Sequence, residues 1–536
     1  MAKFYGHSSQ AWPETDTVVK GHNHELFCFL PIRLIRNFFM LTNINSIKYF
    51  FQSDTNSLKL LSIRSAVWSI LGKGGAYVLR IGGNLILTRM LFPEAFGLMA
   101  TANTILLLIN FFADTGVRTA IIQNPKGGES EFIDTVWIIN ILRGVFLSSV
   151  IMALAWPVSR IYHESILRPV LFIMCFSPLI RGFENPALPV MIKTFRVQKQ
   201  VGMELTSQLI SLITTIILAR IMVSVYALAI GFSLSAVFRL IISYIIIRYK
   251  PKLIWNKEAG AALFHFGKFV FLNTLITALT SHIDVLAIGK ILSMEKLSFY
   301  NIGKNMGNII LTFSIQIVSQ AYLPAVSSVH TDIARVQRIY RRTITFFLTV
   351  AIPVSVVVIL FSYDIIRLLY DPRYQLAYIS MLWIGLAGIF RIIGNVSGMT
   401  FFAVGRPAME TVSVAIGLVL VFLLVPIGSL IADLHGASVG IATAAVLIVI
   451  VESTLLILKL KFSVMIVLRP WLQAFFITGV CSGIYYLLKP WLSNEELYNI
   501  PFMIIMGFLA FAISGGVYRY LEGSNPFRDE MEYNKQ

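Results

Sequence analysis

The sequence predicts an all-α integral membrane protein with about 14 transmembrane helices, and three observations lead to this fold class. Fourteen apolar stretches lie between about Ser65 and Tyr520, and each reaches the ~20 residues that a helix needs to cross a bilayer. Of the 536 residues, 57% are hydrophobic and only 13% are charged, against roughly 25% charged residues in soluble domains. No polar segment after residue 65 is long enough to form a soluble catalytic domain.

The predicted spans follow these apolar stretches in chain order. They are 66–90, 98–121, 133–156, 167–190, 203–222, 224–248, 266–292, 299–325, 343–366, 374–403, 408–430, 434–459, 468–488 and 500–519.

The connectors between the spans alternate in charge, and this alternation predicts the orientation of the chain. The first connector, Phe92–Gly97, contains no Lys or Arg. Basic residues cluster in every second connector, which the positive-inside rule places in the cytoplasm. Both termini are therefore predicted to be cytoplasmic, and orientation rather than nucleic-acid binding explains the net charge of +17. The basic connector residues are Lys193, Arg196, Lys199, Arg248, Lys250, Lys252, Lys257, Arg335, Arg338, Arg341, Arg342, Lys459, Lys461 and Arg469.

Several classes of site are excluded by the motifs that the sequence lacks. Cys28, Cys175 and Cys481 are far apart, so neither a disulfide framework nor a metal site is expected. There is no G-x-x-x-x-G-K-[ST] loop, and no H-E-x-x-H or CxxC motif. We therefore expect no ATPase, no catalytic residues and no cofactor.

The first 60 residues form a separate segment in this reading. They are polar except for Phe27–Met40, which is too short to span a bilayer and contains Arg33 and Arg36. The interpretations that stay open are a helix that lies in the membrane interface, a dispensable extension, or a start codon assigned upstream of the true one.

A short internal repeat divides the membrane part. Arg89–Glu94 closes the first span and Lys290–Glu295 closes the seventh, 201 residues later, with Leu91 matching Leu292. Six crossings separate the two segments, which indicates two halves of the same topology. The predicted units are 1–60 as a cytoplasmic extension, 61–250 and 251–460 as six-helix lobes, 461–520 as two further helices and 521–536 as a cytoplasmic tail.

Charged residues inside the spans are the best guide to function, because each costs ~2.5–3.5 kcal/mol at mid-depth. In the first span, Lys73, Tyr77, Arg80 and Asn84 occupy about 60° of the helix surface at ~100° per residue. Gly75 and Gly82 fall on the opposite face, which predicts helix packing there. One side of this helix is thus predicted to face a wet, cationic space.

Other mid-depth charges recur in both halves. Arg143 and Arg391 have no obvious partner nearby in the sequence, and with Lys73, Arg80 and Asn84 they are our candidates for binding an anion in a central cavity. Arg181 and Glu184 are i,i+3 neighbours that either neutralise each other or take part in coupling. Asp284 either binds a cation or proton, or pairs with one of the arginines. Asp114 and Arg118 are interpreted as a structural pair, and Arg239 is a further charge in the sixth span.

Four segments of the sequence resemble Wzx-like polysaccharide flippases. These proteins belong to the polysaccharide transporter family of the multidrug/oligosaccharidyl-lipid/polysaccharide (MOP) exporter superfamily. The resemblance covers about residues 60–520. Within the family, the sequence is similar to exporters of colanic acid and teichuronic acid. The segments are Ser65–Gly97, Phe112–Gln123, Gly267–Leu292 and Tyr322–Ser327.

The resemblance implies two pseudo-symmetric six-helix lobes facing each other in a V, with two extra C-terminal helices. It implies a flippase in the cell (inner) membrane that moves an undecaprenyl-pyrophosphate-linked oligosaccharide between leaflets by alternating access, for synthesis of exopolysaccharide, O-antigen or a related surface polysaccharide. The implied partners are that lipid-linked substrate and membrane lipid, with a polysaccharide polymerase and chain-length complex as a further candidate. The protein is expected to act as a monomer and to bind no nucleic acid.

Two other functions compete with that of a lipid-linked oligosaccharide flippase. A cation-coupled multidrug exporter of the same superfamily should show carboxylates in its spans, whereas arginines outnumber acids there. A membrane polysaccharide polymerase or ligase should carry a sizeable outer loop with catalytic Arg or His, and this sequence has none.

Overall fold

The computed structural model describes residues 58–112, 121, 125–194, 197–256, 276–488 and 496–522. Within these ranges every regular element is a helix, so the predicted all-α class is confirmed. Three predictions fall outside the described residues: the extension up to residue 57, the Asp114–Arg118 pair and the tail beyond residue 522.

Residues 58–256, called the N-terminal half below, run back and forth as long and short helices. The helices are α1 (Leu58–Met90), α2 (Pro93–Phe112), α3 (Ser130–Tyr162), α4 (Leu167–Met174), α5 (Phe176–Gly182), α6 (Leu188–Lys193), α7 (Val197–Met222) and α8 (Val225–Ile246). A short 3-10 helix, Pro125–Gly128, precedes α3.

Residues 276–522, called the C-terminal half, continue the same pattern. Its helices are α9 (276–291), α10 (Met294–Gly307), α11 (Ile309–Ile317), α12 (Leu323–Ser327), α13 (Ile333–Leu360), α14 (Ser362–Leu369), α15 (Ala377–Ala403), α16 (Pro407–Leu460), α17 (Val464–Leu488) and α18 (Glu496–Glu522). A π-helical turn, Val318–Tyr322, joins α11 to α12.

Length and hydropathy identify a membrane protein. In the described ranges, eight helices are long and apolar enough to cross a bilayer. They are α2, α3, α7, α8, α13, α15, α16 and α17. The count of 14 crossings stays a prediction.

Helix α16 is a hairpin of two arms rather than one rod. Ala432 and Asp433 leave the helical conformation, and Asp433 has φ +56°. The Asp433 carboxylate accepts a hydrogen bond from the backbone N–H of Leu434, the next residue, at 2.7 Å. The backbones of Gly428 and Gly436 touch across the turn, where a Cβ on either residue would collide with the other's carbonyl oxygen. The arms correspond to the predicted spans 408–430 and 434–459.

The predicted span 167–190 is broken into α4, α5 and α6. Proline explains the second break, because Pro186 has no N–H and disfavours helical geometry at Asn185. Asn185 is buried, and its side-chain amide donates to the carbonyls of Ile247 at 3.1 Å and Tyr249 at 3.0 Å. The break is thereby held against the end of α8, and it places Arg181 and Glu184 beside an interruption of the helix.

The chain alternates between two ends of the bundle, here called the Phe92 end and the Gly405 end after residues at each. The repeat turns lie together at the Phe92 end. Both α1–α2 and α9–α10 are joined by two residues, with Glu94 and Glu295 in the next first turn. Gly97 packs directly on the backbone of Met294, and Thr101 Oγ1 lies 3.7 Å from Met294 Sδ.

A loop of the C-terminal half also binds the turn after α1. Tyr374 donates a hydrogen bond to the Leu91 carbonyl at 3.0 Å, and Arg373 donates to the Thr88 carbonyl at 3.3 Å. The guanidinium of Arg373 is itself paired with Asp371 at 2.8 Å, and this hydrogen bond lowers the pKa of Asp371. Leu91, Leu297 and Tyr374 share one apolar core, so the two halves are packed together at this end.

Candidate functional site

Helix α1 has one packed face and one polar face. Its packed face meets α7, where Gly72, Gly75 and Gly83 lie against Val201, Leu205 and Leu212 respectively. The predicted contact at Gly75 is therefore confirmed. The prediction for Gly82 is wrong, because a Cβ there would meet nothing within 4 Å. The packed face centres on Gly72 and Gly83, which lie a quarter-turn away from Gly82.

The polar stripe of α1 is directed toward open space and toward α10. Lys73 and Arg80 are exposed, whereas Tyr77 and Asn84 are half-buried. Tyr77 donates a hydrogen bond to the backbone carbonyl of Asn305 at 2.8 Å. The stripe of the N-terminal half therefore borders the helix that carries Lys304.

Asp284 belongs to a buried ion pair between α9 and α10. Its Oδ2 lies 2.6 Å from Lys304 Nζ and accepts a second hydrogen bond from the Tyr300 hydroxyl. Of the two alternatives for Asp284, the structure shows an ion pair, with Lys304 rather than an arginine as the direct partner. Arg391 of α15 is half-buried and lies within electrostatic range of Asp284 and Tyr300. Within this cluster, Lys304 and Arg391 carry two positive charges against one carboxylate.

A second charged region is a cavity of about 330 Å³ inside the N-terminal half. Three arginines and one glutamate contribute its charged lining, so two positive charges are in excess among the described lining residues. Amide groups of Asn110, Asn140 and Gln200 add neutral hydrogen-bonding capacity. The charged lining residues are Arg143, Arg181, Glu184 and Arg239.

The ion pair in this cavity is not the one suggested by sequence spacing. Glu184 pairs with Arg239 of α8, at 3.0 Å from Glu184 Oε1 to Arg239 Nε. The expected i,i+3 pair of Arg181 with Glu184 is therefore corrected. The reason is local: α5 ends at Gly182, so Glu184 follows the helix end and is not held one turn from Arg181. Arg181 is left exposed to the cavity.

Arg143 enters the same cavity from α3. Its Nη2 donates to the carbonyl of Asn110 at 3.1 Å, near the end of α2. Close helix packing positions it, because Gly144 lies against the backbone of α5 and leaves no room for a Cβ. The guanidinium groups of Arg143 and Arg181 thus approach one space from two helices.

The predicted site residues fall into two groups rather than one. Arg143, Arg181 and Glu184 line the cavity of the N-terminal half, and neither Arg80 nor Arg391 is part of its lining. Arg80 lies on the α1 stripe, and Arg391 lies near Asp284. The sequence did not lead us to select Lys304 or Tyr300. A lysine inside the span that follows Asp284 was nevertheless a signal that this aspartate has a basic partner. Arg239 was noted, but its pairing with Glu184 required the tertiary contact of α8 with the break.

Comparison with known proteins places this chain in a family. A profile of the family described as "Polysaccharide biosynthesis protein" matches residues 86–378. An uncharacterised membrane protein of the cps region of Klebsiella pneumoniae is 24% identical over 377 residues, covering 69% of this chain and 76% of that protein. The lipopolysaccharide biosynthesis protein WzxC of Escherichia coli K12 is 21% identical over 394 residues, covering 72% and 78% respectively.

Among solved structures, the lipid II flippase MurJ in an inward closed conformation superposes with a TM-score of 0.67 at 14% identity. The superposition covers 85% of this chain and 99% of MurJ. At this identity the similarity concerns the fold alone. Because the family profile matches more than half of the chain, the protein belongs to the polysaccharide biosynthesis protein family, as its resemblance to the Wzx-like members of the MOP superfamily predicted.

Proposed function

We propose that this protein is a flippase that moves a lipid-linked oligosaccharide across the cytoplasmic membrane for synthesis of a surface polysaccharide. The cationic cavity of the N-terminal half is the observation that carries the proposal. Family membership and the names of relatives such as WzxC support the substrate class. In this proposal the substrate is an undecaprenyl-pyrophosphate-linked repeat unit.

The chemistry of the cavity suits a diphosphate. Arg143 and Arg181 present guanidinium groups, whose planar forks bind phosphate oxygens in a bidentate manner. Arg239 is paired with Glu184, so Arg181 is the more accessible charge for an incoming anion. The cavity volume also lies within the roughly 300–1,000 Å³ range of small-molecule sites. The polyprenyl tail stays in the lipid bilayer, so its apolar surface need not be exposed to water.

The α1 stripe supplies a second cationic surface between the halves. Arg80 is exposed on α1, and Tyr77 of the same stripe contacts Asn305, the neighbour of Lys304 in α10. In the proposed cycle, the diphosphate passes between this surface and the arginine cavity. The excess of positive over negative charge in both regions argues against export of cationic drugs, which would require carboxylates at these positions.

The packing of the two halves supports alternating access as the mechanism. The contacts of Gly97 with Met294 and of Tyr374 with Leu91 close the Phe92 end. If this end lies outside the cell, as the loop charges predict, the proposed substrate must enter from the cytoplasmic side. Transport then requires these contacts to break.

The proposal is tested by export in a host whose own copy of the gene is deleted. Arg181→Ala and Arg80→Ala should each reduce surface polysaccharide about tenfold or more, since a charge-assisted hydrogen bond contributes ~1.5–3 kcal/mol. Lipid-linked repeat units should accumulate on the cytoplasmic leaflet. Arg181→Lys should retain part of the activity, because the charge remains while the fork is lost.

Arg220→Ala is the matched control, because Arg220 is an exposed arginine at the last turn of α7, outside both charged regions. It should export at the level of the unaltered protein. Normal export by Arg181→Ala and Arg80→Ala proteins present at normal levels in the membrane would contradict the proposed diphosphate site.

A further inference from the structure

Two glutamates of α16 lie inside the C-terminal half without a cationic partner. Glu452, on the second arm, is 5% exposed, and its Oε2 accepts no hydrogen bond from any described residue. Glu410, in the first turn of the first arm, is half-buried, and its Oε2 is likewise unpaired. The two carboxyls are close enough to interact electrostatically.

Helix α15 is shaped to receive both carboxyl groups. Gly394 and Gly398 are one turn apart on the same face of α15. A Cβ at Gly394 would lie 2.7 Å from Glu452 Oε2, and a Cβ at Gly398 would lie 2.6 Å from Glu410 Oε1. Each oxygen thus occupies space that a side chain at the glycine would otherwise fill. The glycines form a pocket for two carboxyl groups stacked along one helix.

Among the described residues on the other faces of this pocket, none forms an ion pair with either glutamate. From α13, Tyr340 lies within electrostatic range of Glu452, but its hydroxyl is hydrogen-bonded to Ser397 at 3.1 Å. Arg406, at the start of α16, donates to the carbonyl of Lys459 at 2.9 Å. Arg391 of α15 interacts with Asp284 and Tyr300 instead. No ion pair joins either glutamate to a described cation.

These surroundings disfavour two ionised carboxylates. An unpaired buried charge costs several kcal/mol even after relaxation, and two like charges in one site raise that cost. Glu410 gains some stabilisation of its negative charge from the N-terminus of α16, whereas Glu452 lies about five turns beyond the start of its own arm. A proton shared by the pair therefore resides on Glu452.

We propose that Glu410 and Glu452 form a proton-binding site in the C-terminal half, with Glu410 as the group through which the proton exchanges with water. Glu410 is half-buried near the Gly405 end, and Glu452 lies two turns or more inside the second arm. A hydronium ion transfers a proton to a Glu410 oxygen and leaves water. The new O–H bond of Glu410 then breaks as the proton moves to Glu452, which returns Glu410 to its carboxylate form. Separation of α15 from α16 admits water to Glu452 and releases the proton.

The test is an infrared pH titration of the full chain reconstituted in lipid vesicles without any substrate. The unaltered protein should show the carbonyl band of a protonated carboxylic acid at pH values well above the ~4.3 of an ordinary glutamic acid. Glu452→Gln should remove this band. Glu410→Gln should keep it but shift its titration to lower pH, because a neighbouring acid is lost. Glu295→Gln, at an exposed glutamate of the Phe92 end, should leave it unchanged.

Three results would overturn the proposal. One is the absence of such a band in the unaltered protein, which needs no variant to fold. Another is a band that persists in Glu452→Gln. The third is loss of the band at constant pH when choline is replaced by sodium, which would assign the carboxyls to a metal cation. None of these results depends on the proposed transport of a lipid-linked oligosaccharide, so the two proposals fail separately.

Discussion

At the scale of single residues, the charged side chains in the helices are of two kinds: some form ion pairs and others are exposed. Asp284 and Lys304 satisfy each other in the core between α9 and α10. Glu184 and Arg239 do the same beside the break in the fourth predicted span. Arg181 and Arg80 stay exposed to open space. Because the paired groups are neutral as pairs, the exposed arginines dominate the field that an anionic headgroup meets.

The Asp284–Lys304 pair predicts a non-additive effect on stability. Asp284→Asn should lower the free energy of unfolding by about 3–5 kcal/mol, because Lys304 is left charged in a buried position. The double variant Asp284→Asn/Lys304→Met should recover most of that loss. Thermal or denaturant unfolding of the purified proteins in detergent measures both changes.

Lys296→Met is the control for this cycle, because Lys296 forms an exposed ion pair with Asp433. Its loss should cost at most ~1 kcal/mol. Additive effects of Asp284→Asn and Lys304→Met would show that the two side chains do not depend on each other.

At the scale of elements, glycine contacts decide where helices approach. Gly72, Gly75 and Gly83 bring α7 against α1, and Gly394 and Gly398 make room for the carboxyls of α16. The repeat turns meet through Gly97, whose α-carbon lies against the Met294 backbone. These approaches use backbone rather than long side chains, which is the usual mode of packing in membrane helices.

Gly97 predicts how the Phe92 end is closed. Gly97→Ala introduces a Cβ that collides with the Met294 carbonyl, so the turns must move apart. We expect the thiol of a Thr101→Cys reporter, buried in the unaltered packing, to react several-fold faster with a membrane-impermeant reagent in the Gly97→Ala background.

Gly82→Ala serves as the comparison for this experiment, because its Cβ would meet nothing within 4 Å. It should leave the reactivity of the reporter unchanged. Equal labelling in the Gly97→Ala and Gly82→Ala backgrounds would refute the role of Gly97 in closing this end.

At the scale of the whole molecule, the halves are joined at the Phe92 end by backbone and side-chain contacts. Arg373 and Tyr374 reach the end of α1, and Tyr162 donates to the Leu286 carbonyl at 3.2 Å. A shared apolar core lies under these contacts. In the proposed alternating-access cycle this shared core would have to open.

The predicted orientation can be measured by cysteine accessibility in intact cells, in a variant without Cys28, Cys175 and Cys481. Glu295→Cys, exposed at the Phe92 end, should react with an impermeant reagent added outside. Arg338→Cys, exposed at the Gly405 end, should react only after the membrane is permeabilised. The reverse pattern would invert the topology inferred from the basic connectors.

The sequence by itself determined the membrane class, the helical content and the family. Hydropathy and loop charge are local properties, so they can be read without knowing which helices touch. It also identified Arg143, Arg181, Glu184, Asp284 and Arg391 as costly interior charges, because their cost depends mainly on depth in the bilayer.

Only the tertiary structure decided how those charges are distributed. Glu184 pairs with Arg239 because the helix is interrupted next to Pro186. Asp284 pairs with Lys304 because α9 and α10 pack side by side. Arg143 and Arg391 were separated into different regions for the same reason. Pairing depends on distances between segments far apart in the chain, and spacing along a single helix carries no information about them.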